Sequence, residues 1–254
     1  MPPAVALVTG AASGMGQLTA RRLAASGASV AALDVDEKGL EETVARAPTM
    51  RAWPCDVTDD AAVDRTAQEV EDALGPVERL VHAAGICLPG LLTDQPVAEI
   101  QRTMDVNYLG TVRVVHAVLP GMLDRRRGDV VTFASLSGWL PTPHLGAYAA
   151  SKHAVVAFNE VLAYENRGCG VRFACVCPPI VDTPMVAGIR ARDRAALGGQ
   201  EQGIDAGVVL DAVEQALDAG ELLVLPGRGT KTVWRTRRFA PRLLWRQIER
   251  ATRG

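Results

Sequence analysis

Net charge is what this sequence most lacks: 27 Lys and Arg against 29 Asp and Glu leave it at −2. That near-balance excludes nucleic-acid binding through bulk charge. No uncharged apolar stretch reaches the roughly 18 residues of a membrane span. No signal peptide is read ahead of the first strand-like run, so a cytoplasmic protein is expected. Cysteines number five, an odd count without a C-x-x-C pair. No metal site is expected, and buried reduced thiols fit a cytosolic compartment. Cys175 and Cys177, two apart in an apolar run, are assigned to opposite faces of it. Internal repeats and low-complexity linkers are also missing. What is present is a 48% apolar composition, which excludes wholesale disorder. A single domain of this length buries roughly 70–75% of its unfolded surface and needs no disulfide or metal.

The small net charge hides an uneven distribution. Residues 228–254 hold nine Lys or Arg and one acid, Glu249, for a net +8, whereas the remainder holds 18 basic and 28 acidic residues, a net −10.

Short β-branched or apolar runs alternate with longer segments of helical period. Strands are expected over 5–9, 29–34, 51–56, 77–83, 129–135, 171–177 and 221–225. Helices are expected over 14–25, 37–46, 61–74, 147–166 and 206–219, with 97–125 read as one or two helices broken near Gly110. The strands read as nearly continuous apolar runs, as strands covered on both faces do. This order implies an α/β fold: a doubly wound seven-stranded parallel sheet of Rossmann type with helices on both faces. One catalytic domain is expected over 1–227, including a mobile flap over 184–204, followed by a basic tail over 228–254.

Between the first strand and helix lies Thr9-Gly10-Ala11-Ala12-Ser13-Gly14-Met15-Gly16. Glycines in such a turn permit positive φ and close backbone approach, and the helix N-terminus offers N–H groups to a pyrophosphate. Asp34 ends the second strand, where an acid accepts hydrogen bonds from adenosine ribose hydroxyls and repels a 2′-phosphate. No Arg or Lys lies in the turn or directly after Asp34, so the expected cofactor is NAD. Asp56, ending the third strand, is placed either for the adenine edge or for the start of the next helix. Tyr148 and Lys152 are four apart and share one helical face. An ammonium lowers the phenol pKa from about 10, which makes the pair a candidate acid/base. Ser135, Ala84-Gly85 and Pro178 fall at C-terminal strand ends, where open parallel sheets bind ligands.

Together these residues resemble the short-chain dehydrogenase/reductase family in its compact single-domain branch. The resemblance is carried by the 9–16 turn, Asp56-Val57, His82-Ala83-Ala84-Gly85, Asn107, Ser135 followed by Gly138, Tyr148-Ala-Ala-Ser-Lys152, and Pro178-Pro179-Ile180-Val181-Asp182-Thr183. It runs from residue 4 to residue 225. It implies a hydride-transferring oxidoreductase in which Tyr148 exchanges a proton with the substrate oxygen. Lys152 would lower the Tyr148 pKa and hold the nicotinamide ribose. Ser135 would polarise the carbonyl, and Asn107 would hold a water linking Lys152 to solvent. Cofactor contacts are implied for Gly10, Ser13, Gly14, Met15, Gly16, Asp34, Asp56, Val57, Ala84, Gly85, Tyr148, Lys152, Pro178, Ile180 and Thr183.

Three departures stand out. His82 replaces the family's usual Asn, Pro179 replaces the usual Gly, and the segment 222–227 lacks the common V-D-G-G ending. A homodimer or homotetramer is expected, and the missing ending favours the dimer. Substrate contacts are expected from Ser137, Trp139, His144, Pro179 and Met185, with Ile86, Cys87, Leu88 and Leu140 as further wall candidates. Most of these are apolar, which points to a small hydrophobic secondary alcohol or ketone. The alternatives are a ketoreductase for a carrier- or coenzyme-A-linked acyl group and a non-catalytic nucleotide-binding regulator. Three readings of the basic tail stay open: packing on a subunit or the body, peripheral contact with an anionic membrane, and a solvated tail.

Overall fold

The computed structural model describes residues 3–198 and 202–246. Residues 247–254 of the expected basic tail lie outside the described residues. Seven parallel strands form one sheet: β1 (Val5–Thr9), β2 (Ser29–Asp34), β3 (Met50–Pro54), β4 (Arg79–His82), β5 (Gly128–Phe133), β6 (Val171–Val176) and β7 (Leu223–Val224). Their order is β3-β2-β1-β4-β5-β6-β7. The chain therefore winds outward to β3, returns beside β1, and winds outward again. The reversal between β1 and β4 opens a crevice at the C-terminal strand ends. Thr9 pairs with His82 in that register, which brings the turns after β1 and β4 side by side.

The helices are α1 (Gly14–Ala25), α2 (Glu37–Val44), α3 (Asp60–Leu74), α4 (Val97–Met104), α5 (Gly110–Arg125), α6 (Gly146–Glu165), α7 (Pro184–Arg192), α8 (Ala206–Ala219) and α9 (Thr230–Phe239). Alternate strand residues point to opposite faces of the sheet. Ala6, Val8, Val30, Val131 and Val176 pack against Leu23 of α1 and Leu210 and Leu217 of α8. Leu7, Leu33, Leu80 and Val130 pack against Val70 of α3 and Val115 and Met122 of α5. Both faces are thus apolar, which is why the strands show no polar alternation. Helix starts are fixed locally: Asp36, Asp59 and Asp205 each accept an N–H from the first turn that follows, the preferred N-cap chemistry.

Two expectations are corrected. The helix over 97–125 is not broken at Gly110. It runs through, with a single wide π turn at Asp105–Leu109 between α4 and α5. Gly110 serves close packing instead, since a Cβ there would meet Val57 Cγ2 at 2.9 Å. Cys175 and Cys177 share a face, as residues two apart in a strand do, and both pack with Val155 and Val156. The 184–204 flap carries α7 and a short 3₁₀ turn, Arg194–Leu197, whose Ile189, Ala196 and Leu197 are buried. The tail folds back on the body through α9 and a further helical stretch over 241–246. No helix among the described residues is long and apolar enough to cross a membrane.

Candidate active site

A cleft of about 970 Å³ lies along the C-terminal ends of the strands. At one end the turn after β1 contributes Gly10, Ser13, Gly14, Met15 and Gly16 to its wall. Gly10 sits at φ +66°, and a Cβ there would lie 2.7 Å from Ala84 N. At Gly16 it would lie 2.1 Å from the Gly10 carbonyl oxygen. Only glycine lets the turn close this tightly onto the start of α1. Asp34 also lines the cleft. Its Oδ2 accepts the Ala12 N–H at 3.0 Å and its Oδ1 the Asp36 N–H at 3.1 Å, which fixes the carboxylate at the rim. Cys55, Val57 and Val106 add an apolar stretch of wall. A glycine cradle at a helix N-terminus, a fixed acid and an apolar slot together fit a dinucleotide.

Asp56 does not join this wall. Its Oδ1 accepts from Thr58 N at 2.9 Å and Thr58 Oγ1 at 2.8 Å, so the carboxylate serves the turn into α3. Val57, Ala84, Gly85, Pro178, Ile180 and Thr183 do line the cleft.

At the other end, the first two turns of α6 present Tyr148 and Lys152. The Lys152 Nζ lies 5.8 Å from the Tyr148 ring centroid. Lys152 is buried, and its ammonium donates to the Phe133 carbonyl at 2.6 Å. Burial pushes its pKa down to about 8. Tyr148 is half-buried at the edge of the cleft, and desolvation pushes its phenol above the ordinary value. The Cys87 thiol adds to that rise and a hydrogen bond with Ser135 opposes it. Desolvation therefore outweighs the expected lowering of Tyr148 by Lys152. Ser135 Oγ accepts the Ser137 N–H at 3.1 Å, which leaves its own hydrogen to donate.

Asn107 lies in the π turn and is fully buried. Its Oδ1 accepts from Ile86 N at 2.8 Å, and its Nδ2 donates to Ile86 O and Ser151 Oγ, both at 2.9 Å. The side chain thus clamps the turn after β4 to Ser151 of α6. His82 is buried beneath that turn, bonded through Nδ1 to Thr9 Oγ1 at 2.9 Å. Burial, with the Lys152 charge second, pushes its pKa down to about 3, so it is neutral.

Of the expected substrate contacts, Ser137, Pro179 and Met185 line the cleft, as do Ile86 and Leu140. Trp139 and His144 do not. Trp139 packs edge-on against Trp234 of α9, with centroids 5.8 Å apart. His144 sits at φ +61° with its Nδ1 2.5 Å from Asp193 Oδ2, which ties the loop before α6 to the end of α7. Arg192 bonds both oxygens of Glu99 at 3.0 Å and ties α7 to α4. Wall residues that sequence reasoning missed are Arg102, Ile189, Leu197, Arg228, Thr230, Val233 and Leu244. Arg102 was readable at one helical turn before Val106. The others reach the cleft only through folding. No His, Cys, Asp and Glu cluster among the described residues is arranged to hold a metal.

The fold and cleft define a doubly wound dinucleotide-binding protein, and comparison with known proteins gives the family. Residues 4–194 match the short chain dehydrogenase family. The chain is 36% identical over 196 residues to 2,3-dihydro-2,3-dihydroxybenzoate dehydrogenase of Bacillus subtilis strain 168, covering 76% of this chain and 75% of that protein. A short chain dehydrogenase/reductase from Burkholderia phymatum, solved in complex with NAD, superposes with a TM-score of 0.84 at 28% identity over 94% of both chains. An actinorhodin polyketide ketoreductase solved with NADPH superposes at 0.80 with 31% identity, over 89% of this chain and 97% of that one. The chain belongs to the short-chain dehydrogenase/reductase family of oxidoreductases, which use nicotinamide cofactors.

Proposed function

We propose that the protein transfers hydride between NAD(H) and a hydrophobic secondary alcohol or ketone. The observation that carries this reading is the meeting of Ser135, Tyr148 and Lys152 at one end of a cleft whose other end holds the glycine cradle and Asp34. The nicotinamide ring supplies or accepts the hydride. Burial keeps Tyr148 protonated, which suits it to give its proton to a carbonyl oxygen during reduction. Ser135 donates to that same oxygen and stabilises the charge developing on it. Lys152, anchored by the Phe133 carbonyl, has two further N–H groups for a ribose hydroxyl, and its charge favours the phenolate left behind. Asp34 supports NAD over NADP, because its fixed carboxylate accepts from ribose hydroxyls and repels a 2′-phosphate. The apolar walls from Leu140, Met185, Ile189 and Leu244 support a hydrophobic substrate.

The test is nicotinamide absorbance during turnover of aliphatic, aromatic and polycyclic secondary alcohols, with NAD and with NADP. Turnover with NAD that falls by about 10²-fold or more in Tyr148→Phe is the expected result. Undiminished turnover by that variant would refute the mechanism, and turnover with NADP alone would refute the role of Asp34. A ketoreductase acting on carrier- or coenzyme-A-linked acyl groups is the second reading, supported by the cationic Arg228 on the cleft wall.

A further inference from the structure

We propose that the substrate is an amphiphile whose apolar body lies against residues 228–246 and whose anionic head, a phosphate or carboxylate, is held by Arg228. This rests on the dehydrogenase reading and narrows its substrate class. The tail meets the body through its apolar residues. In α9, Thr230 is buried and Val233 and Trp234 are half-buried, whereas Lys231, Arg235 and Arg238 are exposed. In the stretch over 241–246, Leu244 is only 6% exposed while Arg242 and Arg246 face solvent. Val233 and Leu244 line the cleft, so part of the segment's apolar surface forms pocket wall, while Phe239, Leu243 and Trp245 stay exposed. Trp234 against Trp139 couples it to the loop that follows Ser135.

The charges are left over. Among the described residues no acid pairs with Arg228, Lys231, Arg235, Arg238, Arg242 or Arg246, although the rest of the chain is net acidic. Arg228 is exposed and lies on the cleft wall itself. A guanidinium there, backed by a cationic helix face, attracts and binds oxyanions. Arg102 also lines the cleft, but Arg228 adjoins the apolar wall of Thr230, Val233 and Leu244, and that wall with its arginine selects a molecule that is apolar along its length and anionic at one end.

The test titrates the full chain, with saturating nicotinamide cofactor, with decyl phosphate and separately with 1-decanol, and follows tryptophan fluorescence. Decyl phosphate is expected to bind at least about 10-fold more tightly at low salt, by a margin that narrows as NaCl screens the charge. Arg228→Gln should remove the margin without changing 1-decanol affinity, Arg228→Lys should restore part of it, and Leu244→Ala should weaken both ligands several-fold. Equal affinities in the unmodified protein would overturn the proposal. So would a preference that survives Arg228→Gln, and if cofactor affinity alone fell in that variant, Arg228 would belong to the cofactor's phosphates. Binding needs no turnover, so failure here leaves the Tyr148→Phe test of the dehydrogenase reading standing, and the reverse holds too.

Discussion

Lys152→Met should make the protein more stable at pH 7 while abolishing its activity. The ammonium is buried, and burial takes its pKa from 10.5 to about 8. At pH 7 the folded protein therefore holds a charge that the unfolded chain would hold in water, at a cost of about 3 kcal/mol. Methionine has no such charge but loses the bond to the Phe133 carbonyl, a loss of about 1 kcal/mol. The net gain is about 2 kcal/mol, which for a chain of this size is about 4–8 °C in melting temperature. The sign follows from linkage. The folded pKa lies below the unfolded one, so between pH 8 and 10.5 the unfolded state binds more protons at Lys152 and this residue's contribution to stability rises with pH. The advantage of Lys152→Met is full below pH 8 and vanishes by about pH 10.5. Cys87 and Tyr148, whose pKa values burial raises, oppose this trend, but they are present in both proteins and cancel in the difference between them. Calorimetry of both proteins without cofactor, from pH 7 to 10.5, measures it. A variant no more stable at pH 7, or an advantage that does not shrink across the window, would refute the desolvation argument.

Other perturbations have defined outcomes. Gly16→Ala drives a Cβ into the Gly10 carbonyl oxygen, so it should cost about 1–3 kcal/mol of stability and abolish cofactor binding by titration. Asp34→Ser removes the acceptor held by Ala12 N–H. NAD affinity should fall about 10-fold and NADP affinity should not, and an equal loss for both would show that Asp34 does not discriminate. His144→Ala and Asp193→Ala each free the end of α7 from the loop before α6. Each should raise KM more than it lowers kcat, and a double-mutant cycle should give a coupling of about 0.5–1.5 kcal/mol, whereas additive effects would mean that the pair does not latch the flap.

Much of the site was legible because it is built from local spacing. Tyr148 and Lys152 are one helical turn apart, and Gly10, Gly14 and Gly16 bracket one turn, so their proximity needs no knowledge of the fold. Asp56 had two local uses open to it at a strand end, and its Oδ1 serves the turn into α3 through Thr58. His144 and Trp139 were misplaced because their partners, Asp193 and Trp234, lie 49 and 95 positions away, beyond any periodicity. The expected break at Gly110 failed because the glycine answers to Val57 across a helix–turn contact.

The sequence by itself determined the alternation of strands and helices, the parallel sheet they must form, the glycine turn and the Tyr148–Lys152 pair. Each is set by residues within a turn or two of one another, or by the need to bury both faces of every strand. Only the tertiary structure decided how the charges are tuned, since desolvation depends on all that surrounds Lys152 and Tyr148. It also decided that α7 is tied down by Asp193 and Arg192, and that the basic tail lies along the cleft. Those outcomes turn on packing between distant segments, where Leu244 and Trp234 find apolar partners and Arg228 finds no acid among the described residues.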